Sequence, residues 1–285
     1  MGIVVNTNVN SILVQRSLGT STTEIGKSLQ RLSTGSRINK AADDAAGLTI
    51  SESLRSQARG SQVASQNAQA GVNLLQTAEG DLGIIQDNLQ RIRDLAVQAA
   101  NDTNGSSERT AIESEVQQRL DEITRLSTAS KFNTIGLLDG SASTLSLQIG
   151  ANSDADTNAI NVSTGTVNPL ANAAASAGGL DIEITAGTTF ATASAASAYI
   201  DTIDTAISDV SERRSTIGSI QNRLDSAIQS LSIKYENMSA SESRIRDVDV
   251  SKEAAALTKN QILQQASAQL LAQANQAPQV ALSLI

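Results

Sequence analysis

The sequence predicts a mainly α protein in which long N- and C-terminal segments pair as an antiparallel coiled-coil helical rod, with a small β-hairpin region in the middle of the chain. Three observations carry that prediction. Only four of 285 residues are aromatic, Phe132, Phe190, Tyr199 and Tyr235. Large aromatic side chains usually dominate compact globular cores, so packing here is expected along narrow aliphatic helix seams. The two prolines, Pro169 and Pro278, leave very long helices permitted before residue 130 and after residue 190, because a helix-interior proline costs about 3 kcal/mol. Finally, apolar residues recur in alternating steps of three and four on both sides of a polar, small-residue middle.

From the N terminus, Ser21 and Glu24 resemble a capping box just before Ile25, Leu29 and Leu32, the stripe of an amphipathic helix. The seam then thins across residues 31–57, "RLSTGSRINKAADDAAGLTISESLRSQ". Between Leu32 and Leu48 the only large apolar side chain is Ile38, while Arg37, Lys40, Asp43 and Asp44 crowd among alanines. The strongest pattern follows: Ala64, Ala68, Gly71, Leu75, Ala78, Leu82, Ile85, Leu89, Ile92, Ala96 and Ala99 keep strict steps of four and three. Its first half is small and its second half large, so the partner should change character along the helix.

"NDTNGSS", residues 101–107, is a turn centred on Asn104-Gly105. A second helix with Ile112, Val116, Leu120, Ile123 and Leu126 on its apolar face should fold back antiparallel. From 131 to 195 Gly, Ser, Thr and Asn take over. Leu145, Leu147 and Ile149, and again Leu180, Ile182 and Ile184, alternate with polar residues as half-buried strands do, and Asp139-Gly140 would turn one hairpin. The stretch "ANAAASAGG" reads as loop. After 195 the helix register returns through Ile200, Ile203, Ile207, Val210, Arg214, Ile217, Gln221, Leu224, Ile228, Leu231, Tyr235 and Met238, with Arg214 and Gln221 fixing register or reaching solvent. Ile262, Ala266, Leu270 and Ala274 form a last stripe. Neither terminal stripe can bury itself, so each needs a partner, and the two are candidates for each other.

Composition excludes much chemistry. With no histidine and no cysteine, Ser-His-Asp and Cys-His triads, histidine zinc sites, thiolate metal sites and disulfides are absent. Asp43 and Asp44 are adjacent, about 100° apart on a helix, and do not converge on one substrate atom. We expect no enzyme activity, no cofactor and no metal site. A net charge of -8 disfavours a grip on nucleic acid. No apolar run reaches bilayer length, so no membrane insertion is expected, and "MGIVVNTNVN" does not read as a secretory signal. Near-motifs fail on inspection. "IGKS" at 25–28 lacks the phosphate-loop glycine, having Ser21 in its place, and "NSDADT" at 152–157 has Thr157 and Ser163 where a calcium loop needs glycine and glutamate. Asn101, Asn104, Asn161 and Asn237 head short glycosylation acceptor patterns with many chance matches.

Together, "LQRLSTGSRINKAADDAAGLTISESLRSQ", "LQRIRDLAVQAAN" and "QILQQASAQLLAQANQAPQVALSLI" resemble bacterial flagellin over residues 1–140 and 195–285. The resemblance implies an inner-tube helical domain from 1–44 and 244–285. It also implies an outer rod from 45–196, with a small β region at 131–195, and from 197–243. It further implies a structural subunit that is exported unfolded by the flagellar type III route, assembles at the filament tip and serves swimming motility in a secreted, extracellular filament. Implied partners are copies of the chain itself, an export chaperone, the filament cap and hook–filament junction proteins. The alternative is a hook–filament junction protein of the same family. A binding module would need a large variable domain, and the metallopeptidase insertion known among flagellins needs histidines.

Within that frame Arg31, Arg37, Lys40, Asp43 and Asp44 mark a subunit-interface hinge. Alanines and Gly47 would permit close approach there, and the charges would pair between chains; the alternative is an exposed, hydrated hinge. Gln90, Arg91, Leu95, Glu115 and Arg119 match positions at which flagellins recognised by a host Toll-like receptor contact it, the alternative being a face that packs the next subunit.

Overall fold

The computed structural model describes residues 7–140, 144–162, 180, 182, 184 and 187–282. Long helices dominate. In chain order they are α1 (Val9–Thr34), α2 (Ala45–Ala99), α3 (Ser106–Ala129), the single turn α4 (Ala155–Asn158), α5 (Ala193–Arg246) and α6 (Val250–Leu282). Four short strands, β1 (Lys131–Phe132), β2 (Ile135–Gly136), β3 (Leu145–Gln148) and β4 (Ala159–Val162), form two separate antiparallel pairs, β1 with β2 and β3 with β4. The chain divides into two compact units. Unit 1 comprises Met1–Ala58 and Glu236–Ile285, and unit 2 comprises Arg59–Tyr235. These divisions fall inside α2 and α5, whereas the domain limits expected from the resemblance fall at 44/45 and 243/244.

Unit 2 holds the aliphatic core. Every seam position from Ala64 to Ala99 is buried, and Leu82, Ile85, Leu89 and Ile92 are fully so. Facing them, α3 buries Ile112, Val116, Leu120 and Ile123, while α5 buries Ile203, Val210, Ile217 and Leu224 at heptad spacing. The change of partner along α2 is also present. Its small half meets the β3–β4 hairpin: a Cβ on Gly71 would lie 2.5 Å from Leu147, and one on Gly60 would lie 2.7 Å from Ala151. The Asn67 amide donates to the Gln148 carbonyl at 3.2 Å. Its large half meets α3 and α5. Small residues admit a hairpin, and large ones need the groove between helices.

A polar layer interrupts this seam and sets its register. Arg214 donates to Gln86 at 2.5 Å and Gln221 donates to Glu79 at 3.1 Å, with Arg214 also 3.9 Å from Glu79. Glu79 and Gln86 are one heptad apart, as are Gln221 and Arg214, so the two pairs match in only one antiparallel register. A one-heptad slip would break these hydrogen bonds in a layer whose Arg214 and Glu79 side chains are 38% and 39% exposed, at a cost of about 0.5–1.5 kcal/mol per bond.

One expectation is corrected. Ser21 is no N-cap; it is buried in the interior of α1, whose actual cap is Asn8, accepting from Ser11 N at 3.1 Å. The Asp139-Gly140 turn leads into residues 141–143, which lie outside the described residues. The β1–β2 turn is Asn133-Thr134, with Asn133 at φ 58°, and β3 reaches β4 through residues 149–158 including α4. Leu180 and Ile182 are buried and the Tyr199 hydroxyl donates to the Ile182 carbonyl at 3.0 Å, but the residues alternating with them, and "ANAAASAGG", lie outside the described residues.

Two glycines in α2 should therefore respond oppositely. Gly71→Val drives a side chain into Leu147 and is expected to destabilise unit 2 by about 1–3 kcal/mol. Gly80→Ala meets nothing within 4 Å and should stabilise the helix by about 1 kcal/mol. Urea unfolding of each variant checks both signs.

Candidate functional site

The thinned stretch after Leu32 is a chain junction. Gly35 ends α1 in the left-handed region at φ 69°, where glycine carries no Cβ penalty. Residues 35–37 then pair with 246–248. Ser36 bridges Asp247, Arg37 N donates to the Arg246 carbonyl at 2.6 Å, and Val248 N donates to the Gly35 carbonyl at 3.0 Å. The Arg37 guanidinium donates to the Ile245 carbonyl at 2.7 and 3.3 Å, satisfying one of the acceptors that the end of α5 leaves open.

Asp43 closes the next turn. Its carboxylate accepts from Lys40 N at 2.9 Å and Asn39 N at 3.1 Å, and these backbone donors hold its pKa below the ordinary value of 3.8, with Arg31 and Lys40 adding charge attraction. Asp44 N-caps α2 by accepting from Gly47 N at 2.8 Å. Ile38 is fully buried over this turn, and a Cβ on Gly47 would collide with it and with the Asp44 carboxylate.

The close approach at Gly47 is thus made within the chain, and the two aspartates serve its own turn and cap. Arg31 is the hinge charge that reaches an opposite side chain, Glu253 of α6 at 3.6 Å; Arg37 meets the Ile245 carbonyl, and Lys40 forms no ion pair among the described residues. A second ion pair, Arg246 with Glu52 at 2.6 Å, ties the end of α5 to the start of α2 within unit 1.

The terminal helices pair closely and antiparallel. Their shared face is small and polar. Ser21 and Ser28 of α1 and Ser267 of α6 are the buried residues along it, flanked by half-buried Val14, Leu18, Ile25, Leu257 and Leu271. Ser28 donates to Glu253 at 2.5 Å, Gln264 to Thr22 at 3.2 Å, and Ser11 to Asn275 at 2.9 Å. Asn8 does double duty, capping α1 while its amide donates to the Ala274 carbonyl at 2.7 Å. Ala274 lies four residues before Pro278, which has no N–H to offer that carbonyl.

Pairing in this way turns the large aliphatic side chains outward. Val9, Ile12, Leu13 and Leu29 of α1 and Val250, Ile262, Leu263 and Leu270 of α6 are 43–61% exposed. Two of the predicted stripe residues, Ile262 and Leu270, therefore face away from α1, and Leu29 likewise faces away from α6.

On α2 and α3 the structure brings Arg91, Glu115 and Arg119 together. Glu115 Oε1 accepts from Arg91 and Arg119 at 3.3 Å each, and Arg119 also donates to Asn88 at 3.2 Å. Gln90 is exposed beside them. Leu95 does not join this surface, being 2% exposed in the core. Among the described residues no group of three or more carboxylates could hold a metal ion, and no helix is long and apolar enough to cross a membrane. Sequence reasoning missed Asn8 and Glu253. The signals available were an asparagine ahead of the first apolar step and a single carboxylate set among alanines and leucines.

Helices paired through serines, with aliphatic residues left in water, define a mainly α protein whose terminal helices expose aliphatic faces in the single chain. The family model for the bacterial flagellin N-terminal helical region matches residues 5–143, and that for the bacterial flagellin C-terminal helical region matches residues 200–285. A flagellin of Halalkalibacterium halodurans is 42% identical over 287 residues, covering 99% of this chain and 100% of its own length. A flagellar filament core protein of Brachyspira hyodysenteriae is 39% identical over 293 residues, covering 99% and 100%. Among solved structures, that of a proposed flagellar hook-associated protein from Vibrio parahaemolyticus shares the fold at a TM-score of 0.56 and 14% identity, over 72% of this chain and 100% of that one. The chain belongs to the bacterial flagellin family.

Two measurements check this site. The lowered Asp43 pKa means its turn is stabilised above the ordinary carboxylate value of 3.8 and loses that support as pH falls through the lowered value. Amide signals of Asn39 and Lys40 should broaden on acidification, and Asp43→Ala should remove the pH dependence. Asn8→Ala should weaken terminal pairing by about 1–2 kcal/mol. Pro278→Ala, which restores the missing donor, should reduce that loss in a double-mutant cycle read by thermal unfolding.

Proposed function

We propose that the chain is the structural subunit of a bacterial flagellar filament, polymerising through the outward aliphatic faces of α1 and α6. One observation carries this reading: eight large aliphatic side chains on the paired terminal helices are 43–61% exposed although partners for one another are at hand. Covering the exposed halves of eight such side chains would contribute roughly 6–12 kcal/mol per subunit, at 1.5–3 kcal/mol for each full burial. Association costs about 4–15 kcal/mol in lost freedom. The two ranges overlap, so contact with several neighbours, each adding burial, favours assembly over a single pair that covers part of the surface. Where the α1 face of one copy meets the α6 face of the next without the reciprocal contact, the interface is heterologous, and heterologous contacts that do not close generate open helical polymers.

The family relationship supports export in an unfolded state by the flagellar type III route, with an export chaperone, the filament cap and hook–filament junction proteins as partners, and an extracellular location. The role is structural and not catalytic. The hook–filament junction alternative has the shared fold of the hook-associated structure in its favour. The filament reading has the names of relatives matched end to end. The Arg91–Glu115–Arg119 cluster, with Gln90 beside it, is proposed both as a face toward the next subunit and as the surface a host Toll-like receptor contacts; Leu95 would support that surface from beneath.

Electron microscopy of the concentrated protein tests the proposal. Long unbranched fibres are expected. A chain lacking its last 40 residues should form none while keeping the helical signal of unit 2; fibres from the truncated chain would contradict the reading. Arg91→Ala should lower receptor affinity of the monomer if the cluster is a receptor surface, and unchanged affinity would leave only the assembly role.

A further inference from the structure

The outward face of α1 is itself a heptad seam. Ile12, Gln15, Gly19, Thr22, Gly26 and Leu29 step by three and four, and all are exposed. Gly19 and Gly26 sit one heptad apart in the helix interior, where a Cβ would meet nothing within 4 Å. No packing within the chain therefore calls for glycine at either position, although glycine weakens a helix. They leave two shallow depressions bounded by Ile12 and Leu29. On α6, Leu263 and Leu270 are also one heptad apart, and they are 43% and 53% exposed.

None of the six seam residues on α1 is ionisable, and from Asn260 onward the sequence contains no charged residue; exposed Arg16 and Lys259 border the two faces one helical turn away, so docking centred on the glycines and leucines buries no ion directly. The outer seam also adjoins an interface that already exists, because Thr22 accepts the hydrogen bond from Gln264 of α6.

We propose that Leu263 and Leu270 of a second copy seat as knobs over Gly26 and Gly19, making this pairing a register-setting contact between subunits. The proposal rests on the filament reading and names residues for it. Copies related by an open screw with helices along its axis share polarity, so α6 of one runs antiparallel to α1 of the next, as within one chain. Antiparallel order places Leu270 on Gly19 and Leu263 on Gly26. Glycine is what lets the incoming leucine approach the backbone.

The chain has no cysteine, so single-cysteine variants report one contact each. Gly19→Cys copies are assembled with Leu270→Cys copies, and Gly26→Cys with Leu263→Cys, followed by mild oxidation and denaturing electrophoresis. Disulfide dimers are expected in on the order of tenfold excess over the mismatched mixtures, Gly19→Cys with Leu263→Cys and Gly26→Cys with Leu270→Cys, because matched thiols are held together. Independently, Gly19→Ala/Gly26→Ala should leave monomer helicity equal or higher and raise the critical concentration for polymerisation about tenfold, or 1.4 kcal/mol. Equal dimer yields from matched and mismatched pairs, or an unchanged critical concentration in the alanine variant, overturns this inference while leaving the filament reading standing. Absence of polymer from the unmodified chain overturns both.

Discussion

The serine seam between α1 and α6 is the constraint on which the terminal architecture depends. Ser21, Ser28 and Ser267 are small enough for the two helices to approach closely, and close approach favours dispersion contact and hydrogen bonding over aliphatic burial. Glu253 holding Ser28 and Arg31, and Asn8 holding the Ala274 carbonyl, then give the pair a defined register. Such a face buries no large aliphatic side chain fully, with Val14, Leu18, Ile25, Leu257 and Leu271 only half-buried along it. It leaves Val9, Ile12, Leu13, Leu29, Val250, Ile262, Leu263 and Leu270 exposed, which makes a single chain's terminal pair weak and its outer surface adhesive.

Unit 2 is organised on the opposite principle. Its seam is aliphatic and buried within the chain, and its polar layer of Glu79, Gln86, Arg214 and Gln221 specifies one alignment of α2 with α5. A subunit that must present unfinished ends to its neighbours benefits from a part that is complete alone. Within unit 1, residues 35–52 are held by turn chemistry: a left-handed glycine, a one-rung bridge to residues 246–248, an aspartate turn and an aspartate cap.

Much of this was legible in the sequence where periodicity is strong. The α2 seam and the α3 face follow from three-and-four spacing, because leucine and isoleucine at those steps have few other places to go, and the need of each terminal helix for a partner follows from its amphipathic stripe. Legibility ended where small polar residues do the packing. Serine at heptad spacing reads as a solvated face, so the predicted stripes of α1 and α6 were assigned inward when Leu29, Ile262 and Leu270 in fact face outward. Ser21 with Glu24 imitates a helix start because the pattern is local, whereas the true start at Asn8 is fixed by a partner more than two hundred residues away. Asp43 and Asp44 show only their sign in the sequence; the backbone donors of Asn39, Lys40 and Gly47 that their carboxylates accept from become visible in the fold. Leu95 lies next to the seam position Ala96, and its burial depends on α3 covering the flank of α2, which heptad counting on one helix does not show.

The account stands on the terminal helices being completed by other copies, and hydrogen exchange at Val9–Thr34 and along α6 tests that most directly. In dilute monomer these amides should exchange far faster than those of unit 2, and in the assembled polymer they should become as protected as the α2 seam. Full protection of both terminal helices in dilute, sedimentation-verified monomer would contradict it.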